Sequence, residues 1–360
     1  MPAPAVPSAA LPAREWPPGP RPDPGVGASL RRSCRLGLEA LKGLKRRWRY
    51  PAYPESSDPF VSVDLWRECA GVVVHEHLPA WRLQRQVEQA ARPVVFIPSW
   101  LVPMYVDQLA RIRRPFHLIT ASNDDPCVPF DTVPWPEDGY HARIRRLLDH
   151  STLLSWHTKN PSCLHPKIHP LPLGPKWQWS NARFCGEPKQ ALKAHYGAFG
   201  LEPAQRFRDP AGLKTEWLYC GFSDTTVAPF WCANTGLRAR LRRELESRFA
   251  WAQSEALPQY LATLARHRFA LSPAGRGIDT HRTWEALLVG TIPIVQSSPL
   301  DPLFRDLPVL IVESWDGLTP EFLRGEYERI RSRPHDFSLC YAPYWRDHFR
   351  RLGATPPPAR

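Results

Sequence analysis

The chain has 360 residues, enough for two ordinary domains with separate cores, and 43% hydrophobic against 23% charged residues is a globular composition. Its formal charge of +12 raises nucleic acid or an anionic surface as a partner, but residues 29–50 carry seven of those twelve charges, so the remainder is only mildly basic. That distribution argues against nucleic-acid binding, and the absence of any run of 18 apolar residues argues against a spanning helix.

Met1 to Gly27 holds nine of the 42 prolines with little apolar periodicity and reads as disordered. The following arm, residues 29–50, spaces Leu30, Leu36, Leu38, Leu41, Leu44 and Trp48 at near-helical intervals among its cations. It could therefore lie on an acidic membrane surface, or serve as a solvated basic linker. The eight cysteines show no CxxC pair, which fits buried free thiols better than a disulfide framework.

From Val61 onward, β-branched runs alternate with helical stretches, the signature of βαβ units and a mostly parallel sheet. Strands are expected over 71–76, 93–98, 115–121, 152–157 and 167–173, with helices over 79–91, 100–113 and 140–150. Residues 176–214 lack periodicity and read as a connection. A second series follows, with strands over 216–222, 268–272, 291–296 and 309–313, and helices over 235–249, 258–267 and 281–289. Helices over 320–331 and 337–352 close the chain and could pack back across both domains. The expected organisation is thus an arm over 1–50, a first Rossmann-like domain over 51–175, the connection, a second Rossmann-like domain over 215–335, and a C-terminal helix and tail over 336–360. Two mostly parallel α/β sheets facing a cleft place the ligand at the carboxyl ends of their strands.

The segment Leu271–Val295 carries the chemistry. A hydrophobic strand enters a loop with Gly275 and Gly277, then a helix that Asp279 or Thr280 could cap and Gly290 ends. Glycines at a strand exit let backbone approach a phosphate, and the first-turn amides of the next helix favour an anion. Arg276, His281 and Arg282 add donors at the same edge. Glu285, three residues after Arg282, could accept both hydroxyls of a ribose or simply pair with Arg282. Thr280 stands where the dinucleotide fingerprint wants a third glycine, and no GxxxxGK loop exists, which disfavours NAD enzymes and P-loop ATPases.

Elsewhere the signals are thinner. Asn123-Asp124-Asp125 is an imperfect substitute for a metal-binding DxD. Asp125 is a candidate base and Asp124 a candidate acceptor contact, although Asn and Asp before Pro126 are also ordinary turn formers. Cys163, His165 and His169 have donor atoms suited to zinc, and His75 and His77 share a strand face, but neither set has a fourth ligand nearby. Trp177, Trp179, Trp217 and Trp231 could stack on a sugar or a base, or belong to the core.

The run Leu-Ser-Pro-x-Gly-x-Gly-Ile-Asp-Thr-His-Arg-Thr-Trp-Glu-Ala-Leu-Leu-x-Gly-Thr-Ile-Pro-Ile-Val, ending at Val295, resembles the donor-site signature of exostosin-like glycosyltransferases. Phe116 to Pro129, Trp156 to Asn160, Lys167-Ile168 and Pro172 to Gly174 resemble the same proteins, so the likeness covers roughly Val61 to Glu313. The resemblance implies a GT-B architecture and transfer of a sugar from a UDP- or GDP-linked donor to a glycan or protein-linked acceptor, with no cofactor or bound metal. It implies that Glu285 meets the ribose, that Arg276, His281 and Arg282 meet the diphosphate, and that Gly275 and Gly277 give the tight approach, with Ser272 and Thr280 beside them. Arg282 then carries catalysis together with Asp125, and Lys159 and Asn160 fall on the acceptor side. Typical family members are Golgi membrane proteins, whereas this sequence shows no anchor helix, so localisation stays open. A catalytically inactive sugar or nucleotide binder of the same fold is the alternative.

Overall fold

The computed structural model describes residues 59–74, 78–121, 139–176, 203–209, 212–223, 236–253 and 255–354. Elements below are numbered among these residues. The basic arm and the candidates Asp124, Asp125, His75, His77, Trp177, Trp179 and Trp231 lie outside them.

The runs Val94–Ile97 and Phe116–Thr120 are buried along their whole length, as strands are when both faces of a parallel sheet are covered. Five strands, β1 (Val72–Val73), β2 (Val94–Ile97), β3 (Phe116–Thr120), β4 (Leu153–Thr158) and β5 (Ile168–Pro170), pair in that order, each parallel to the next. The helices α2 (Ala80–Gln89), α3 (Val102–Leu109) and α4 (Tyr140–Asp149) lie between them in sequence. Alternate side chains of the strands serve different faces. Val95, Ile97, Phe116, Leu118 and Trp156 pack with Leu83, Val106 and Ile144 of those helices. Val94, Phe96 and Ile119 point the other way, into a cluster with Leu65 and Trp66 of α1 (Val63–Glu68) and Trp345 and Phe349 of the C-terminal helix.

The second sheet contains β6 (Glu216–Tyr219), β7 (His267–Leu271), β8 (Ile292–Gln296) and β9 (Leu310–Val312), again in chain order and all parallel. The helices α6 (Leu237–Leu245) and α7 (Leu257–Ala265) come between β6 and β7, and α8 (His281–Leu288) between β7 and β8. The α/β class and its two parallel sheets are those expected from the sequence. Helix α9 (Pro320–Arg331) packs on the second sheet, where Tyr327 meets Phe269 edge-on at 5.9 Å. The chain then crosses back: Ala342 N–H donates to the Pro59 carbonyl at 2.9 Å, and α10 (Ala342–Ala354) covers the first sheet.

Several expected elements are shorter. The helix expected over 100–113 begins as a 3-10 turn at Ser99–Leu101 and ends at Leu109, and that over 337–352 splits into a 3-10 turn at Ser338–Cys340 and α10. Two helices were not anticipated, α1 and α5 (Pro203–Arg208), both six residues long and too short for apolar periodicity to register. Cys69, Cys163, Cys220 and Cys340 are free thiols, three of them buried.

Helix α5 explains why Gly290 ends α8. Arg206 donates from Nη1 to the Leu288 carbonyl at 2.6 Å, and Gly290 turns through a left-handed φ of 75°. A Cβ on Gly290 would sit 2.5 Å from the Arg206 carbonyl carbon. Gly290→Ala therefore combines left-handed strain with a backbone clash, and a stability loss of about 2–4 kcal/mol by urea denaturation is expected. A loss under about 0.5 kcal/mol would show that the α5 contact does not constrain this turn.

Candidate functional site

The corner at the carboxyl end of β7 is built on hydroxyls, two buried carboxylates and two arginines. Ser272, next after β7 and buried, places its Oγ 2.8 Å from Thr280 Oγ1 and 2.7 Å from Thr283 Oγ1. This triad ties the strand exit to the first turn of α8. Thr280 is the N-cap residue with extended backbone, and its hydroxyl serves the triad, making no capping bond.

Asp279 precedes Thr280 and turns its carboxylate toward donors from both sheets. It is 4% exposed and accepts from the Leu173 N–H at 2.7 Å and from Trp284 Nε1–H at 2.8 Å. Its own N–H donates to Asn160 Oδ1 at 2.9 Å. Burial is the largest influence on this carboxyl and pushes it up to about 6, against the pull of those donors and of Lys159. A raised acid favours the folded chain below its unfolded pKa of roughly 3.9 and loses that contribution as the pH rises through about 6.

The other sequence candidates take definite positions around this loop. Gly275 N–H donates to the Gly277 carbonyl at 2.9 Å, so this amide is turned into the loop itself. A Cβ on Gly275 would lie 2.7 Å from Arg238 Nη2, and one on Gly277 2.4 Å from Asn160 Nδ2. The close approach that these glycines permit is thus to a guanidinium and a carboxamide. Arg276 between them is exposed. His281 Nδ1 lies 2.8 Å from the Gly174 carbonyl, which can only accept, so Nδ1 carries the proton. Lys159 and Asn160, assigned to the acceptor side, are buried at the boundary between the two sheets, where Asn160 braces the glycine loop of the second.

Glu285, 5% exposed, is no surface partner: Oε2 accepts from the Tyr260 hydroxyl at 2.9 Å and Oε1 from the Lys176 N–H at 3.2 Å. Tyr260 also accepts from Arg282 Nε at 3.4 Å, so one phenol stands between the arginine and the carboxylate. The Arg282 guanidinium lies 5.5 Å from the Tyr219 ring centroid and 5.8 Å from that of Tyr260.

Two residues here escaped the sequence reading. Tyr260 sits on α7, and Arg238, in the first turn of α6, donates to the carbonyls of Ala274 and Pro273, both at 3.1 Å. Burial, and then the neighbouring Arg282, lowers Arg238 to about 10. Arg282 is held the other way: burial lowers it, but Tyr260, Tyr219 and Glu285 outweigh that and raise it. Trp217 lies on the outer face of the second sheet, under the Arg268 guanidinium at 4.6 Å. Among the described residues, no group of three or more His, Cys, Asp or Glu is placed to hold a metal ion, the Cys163, His165 and His169 set included.

No family model matches the sequence, and no curated protein matches it. Solved structures similar in fold include an alpha,alpha-trehalose-phosphate synthase (UDP-forming) from Burkholderia vietnamiensis, with TM-score 0.36 and 10% identity over 76% of this chain and 77% of that one. A trehalose-6-phosphate protein from E. coli bound with UDP-2-fluoro glucose gives 0.36 and 8%, over 77% of each chain. AviGT4, a glycosyltransferase involved in avilamycin A biosynthesis, gives 0.25 and 14%, over 71% and 90%. Superpositions this loose say nothing of reaction or ligand.

Truncating the central carboxylate leaves the Leu173 N–H and Trp284 Nε1–H buried without an acceptor. Asp279→Ala is expected to cost about 3 kcal/mol in urea denaturation at pH 7, and Asp279→Asn, which keeps one oxygen, less. Equal, negligible losses in both variants would remove Asp279 from the joint.

Proposed function

We propose that the chain is a glycosyltransferase that moves a sugar from a UDP- or GDP-linked donor to a glycan or protein-linked acceptor, with arginines in place of a metal ion. The observation that supports this most directly is the pair Arg282 and Arg238, held at the carboxyl end of β7 with Glu285 already engaged by Tyr260 and the Lys176 N–H. Breaking the bond from anomeric carbon to phosphate oxygen leaves the electron pair on the diphosphate, and cations aimed at that charge lower the barrier. The acceptor hydroxyl supplies the new bond, and its proton passes to a base, for which Asp125 remains the candidate.

In this reading Arg282, Arg238 and Arg276 meet the diphosphate, and Glu285 accepts from ribose hydroxyls in exchange for the Lys176 N–H. The triad of Ser272, Thr280 and Thr283 fixes the loop so that little reorganisation accompanies binding. The engagement of both Glu285 oxygens also favours a second reading, a binder of nucleotides or sugars that performs no transfer.

Calorimetry with UDP and GDP is expected to give saturable binding to one of them, weakened at least tenfold in Arg238→Ala. Arg282→Ala should lower sugar transfer by roughly 10²–10³, the loss typical of one stabilising donor. No binding of either nucleotide by the wild-type chain would overturn the proposal. Binding without donor turnover would favour the inactive binder.

A further inference from the structure

Four histidines that the candidate site does not use meet on the face of the first sheet covered by α10. The register explains how. A bulge between Phe116 and His117 brings Ser155 opposite His117, and His157 pairs with His169 on β5. His117 Nδ1 is 2.7 Å from Ser155 Oγ, which is 2.9 Å from His157 Nε2. His157 stacks on His169 at 4.9 Å, and on its other side meets His348 and Phe349 of α10 at 5.4 and 4.8 Å.

Ser155 Oγ bridges His117 Nδ1 and His157 Nε2, and the Leu352 carbonyl of α10 acts on His117 from the helix side. His157 Nδ1 is buried with no protein partner, as is His348 Nε2. Burial lowers the proton affinity of His117, His157 and His348, each lowered further by a neighbouring imidazole, and partial burial against His157 lowers His169, which is otherwise exposed.

The charged groups around the cluster give a proton no compensation. Arg351 of α10 disfavours charge on His348, and Tyr344 only stacks on that ring. Arg346 is paired with Glu68 of α1 at 2.8 Å, Asp347 with Arg350 at 2.7 Å, and Arg92 of the turn before β2 lies against Gly353. Cys69, beside Arg346, is held neutral by burial.

We propose that α10 is a proton-sensitive strap: acid charges His117, His157, His169 and His348, releases this helix from the first sheet, and so unties the first sheet from the chain that leaves the second. The geometry makes the helix the element that yields. His348 moves with it into water, His157 loses its cover, and His117 loses the Leu352 carbonyl, whereas the strands are held by their parallel ladders. The sign follows from linkage. Undocked rings bind protons near the ordinary histidine pKa of about 6.5 and docked rings below it, so docking is fully favoured above that pH and weakens as the pH falls.

Amide hydrogen exchange on the full chain between pH 7.5 and 5 tests this, with rates expressed as protection factors to divide out the intrinsic pH dependence. Protection in residues 342–354 is expected to fall at least tenfold, while that of α9 holds. The slope of log protection against pH should drop by up to one for each ring removed, in His348→Gln and, for a substitution at an exposed position, in His169→Gln. Protection of α10 that tracks α9 across the range, or variants that keep the wild-type slope, would overturn it.

Discussion

The Asp279 carboxylate accepts from the Leu173 N–H and from Trp284 Nε1–H, while its N–H is held by Asn160, so one residue joins the chain leaving β5, the loop after β7 and the core of α8. A buried carboxylate is costly unless its lone pairs are filled. Here the donors come from two sheets at once, so the charge is satisfied only when both are in place. The cost of burial is thereby converted into a condition on the geometry of the joint. Gly277 follows from the same condition, because Asn160 can reach the Asp279 N–H only where no Cβ stands in its path.

What the joint positions is the surface between the sheets. With Asp279 fixed, Ser272, Thr280 and Thr283 lock the entry to α8, and Arg282 and Glu285 project from its first two turns onto Tyr260. Arg238 closes the arrangement from α6 by gripping the carbonyls of Pro273 and Ala274. Carbonyls drawn toward an arginine leave the loop rigid, and rigidity in a charged loop limits the reorganisation that binding an anion would require.

The sequence made β2, β3, β7 and β8 legible because each carries a run of buried apolar residues, unbroken only in β2, and it made α8 legible because a glycine loop and Gly290 bracket it. Arg238 was not legible: it lies in Leu-Arg-Ala-Arg-Leu-Arg-Arg-Glu-Leu, where four arginines look alike until the fold turns one toward Gly275. Tyr260 and the Asn160–Asp279 contact were hidden for a related reason, since no periodicity records which residues of distant elements meet. The histidine cluster depends on a bulge in β3 and β4 and on a helix returning from the far end of the chain. Of the trio with zinc-like spacing, it contains only His169.

The two ties between the sheets respond to protons with opposite sign. Asp279, raised to about 6, is relieved of a buried charge when the pH falls from 7 toward 4, so acid does not strain the joint through it. The histidines under α10 are lowered, His348 to about 4, and over the same range each docked ring forgoes a proton that it would hold in water. Mild acid therefore separates the ties: the contact through α8 persists while the one through α10 weakens. Two attachments with the same sign would give a chain that unfolds as one body in acid, whereas opposed signs confine the response to the helix and leave the arginine-lined corner in register.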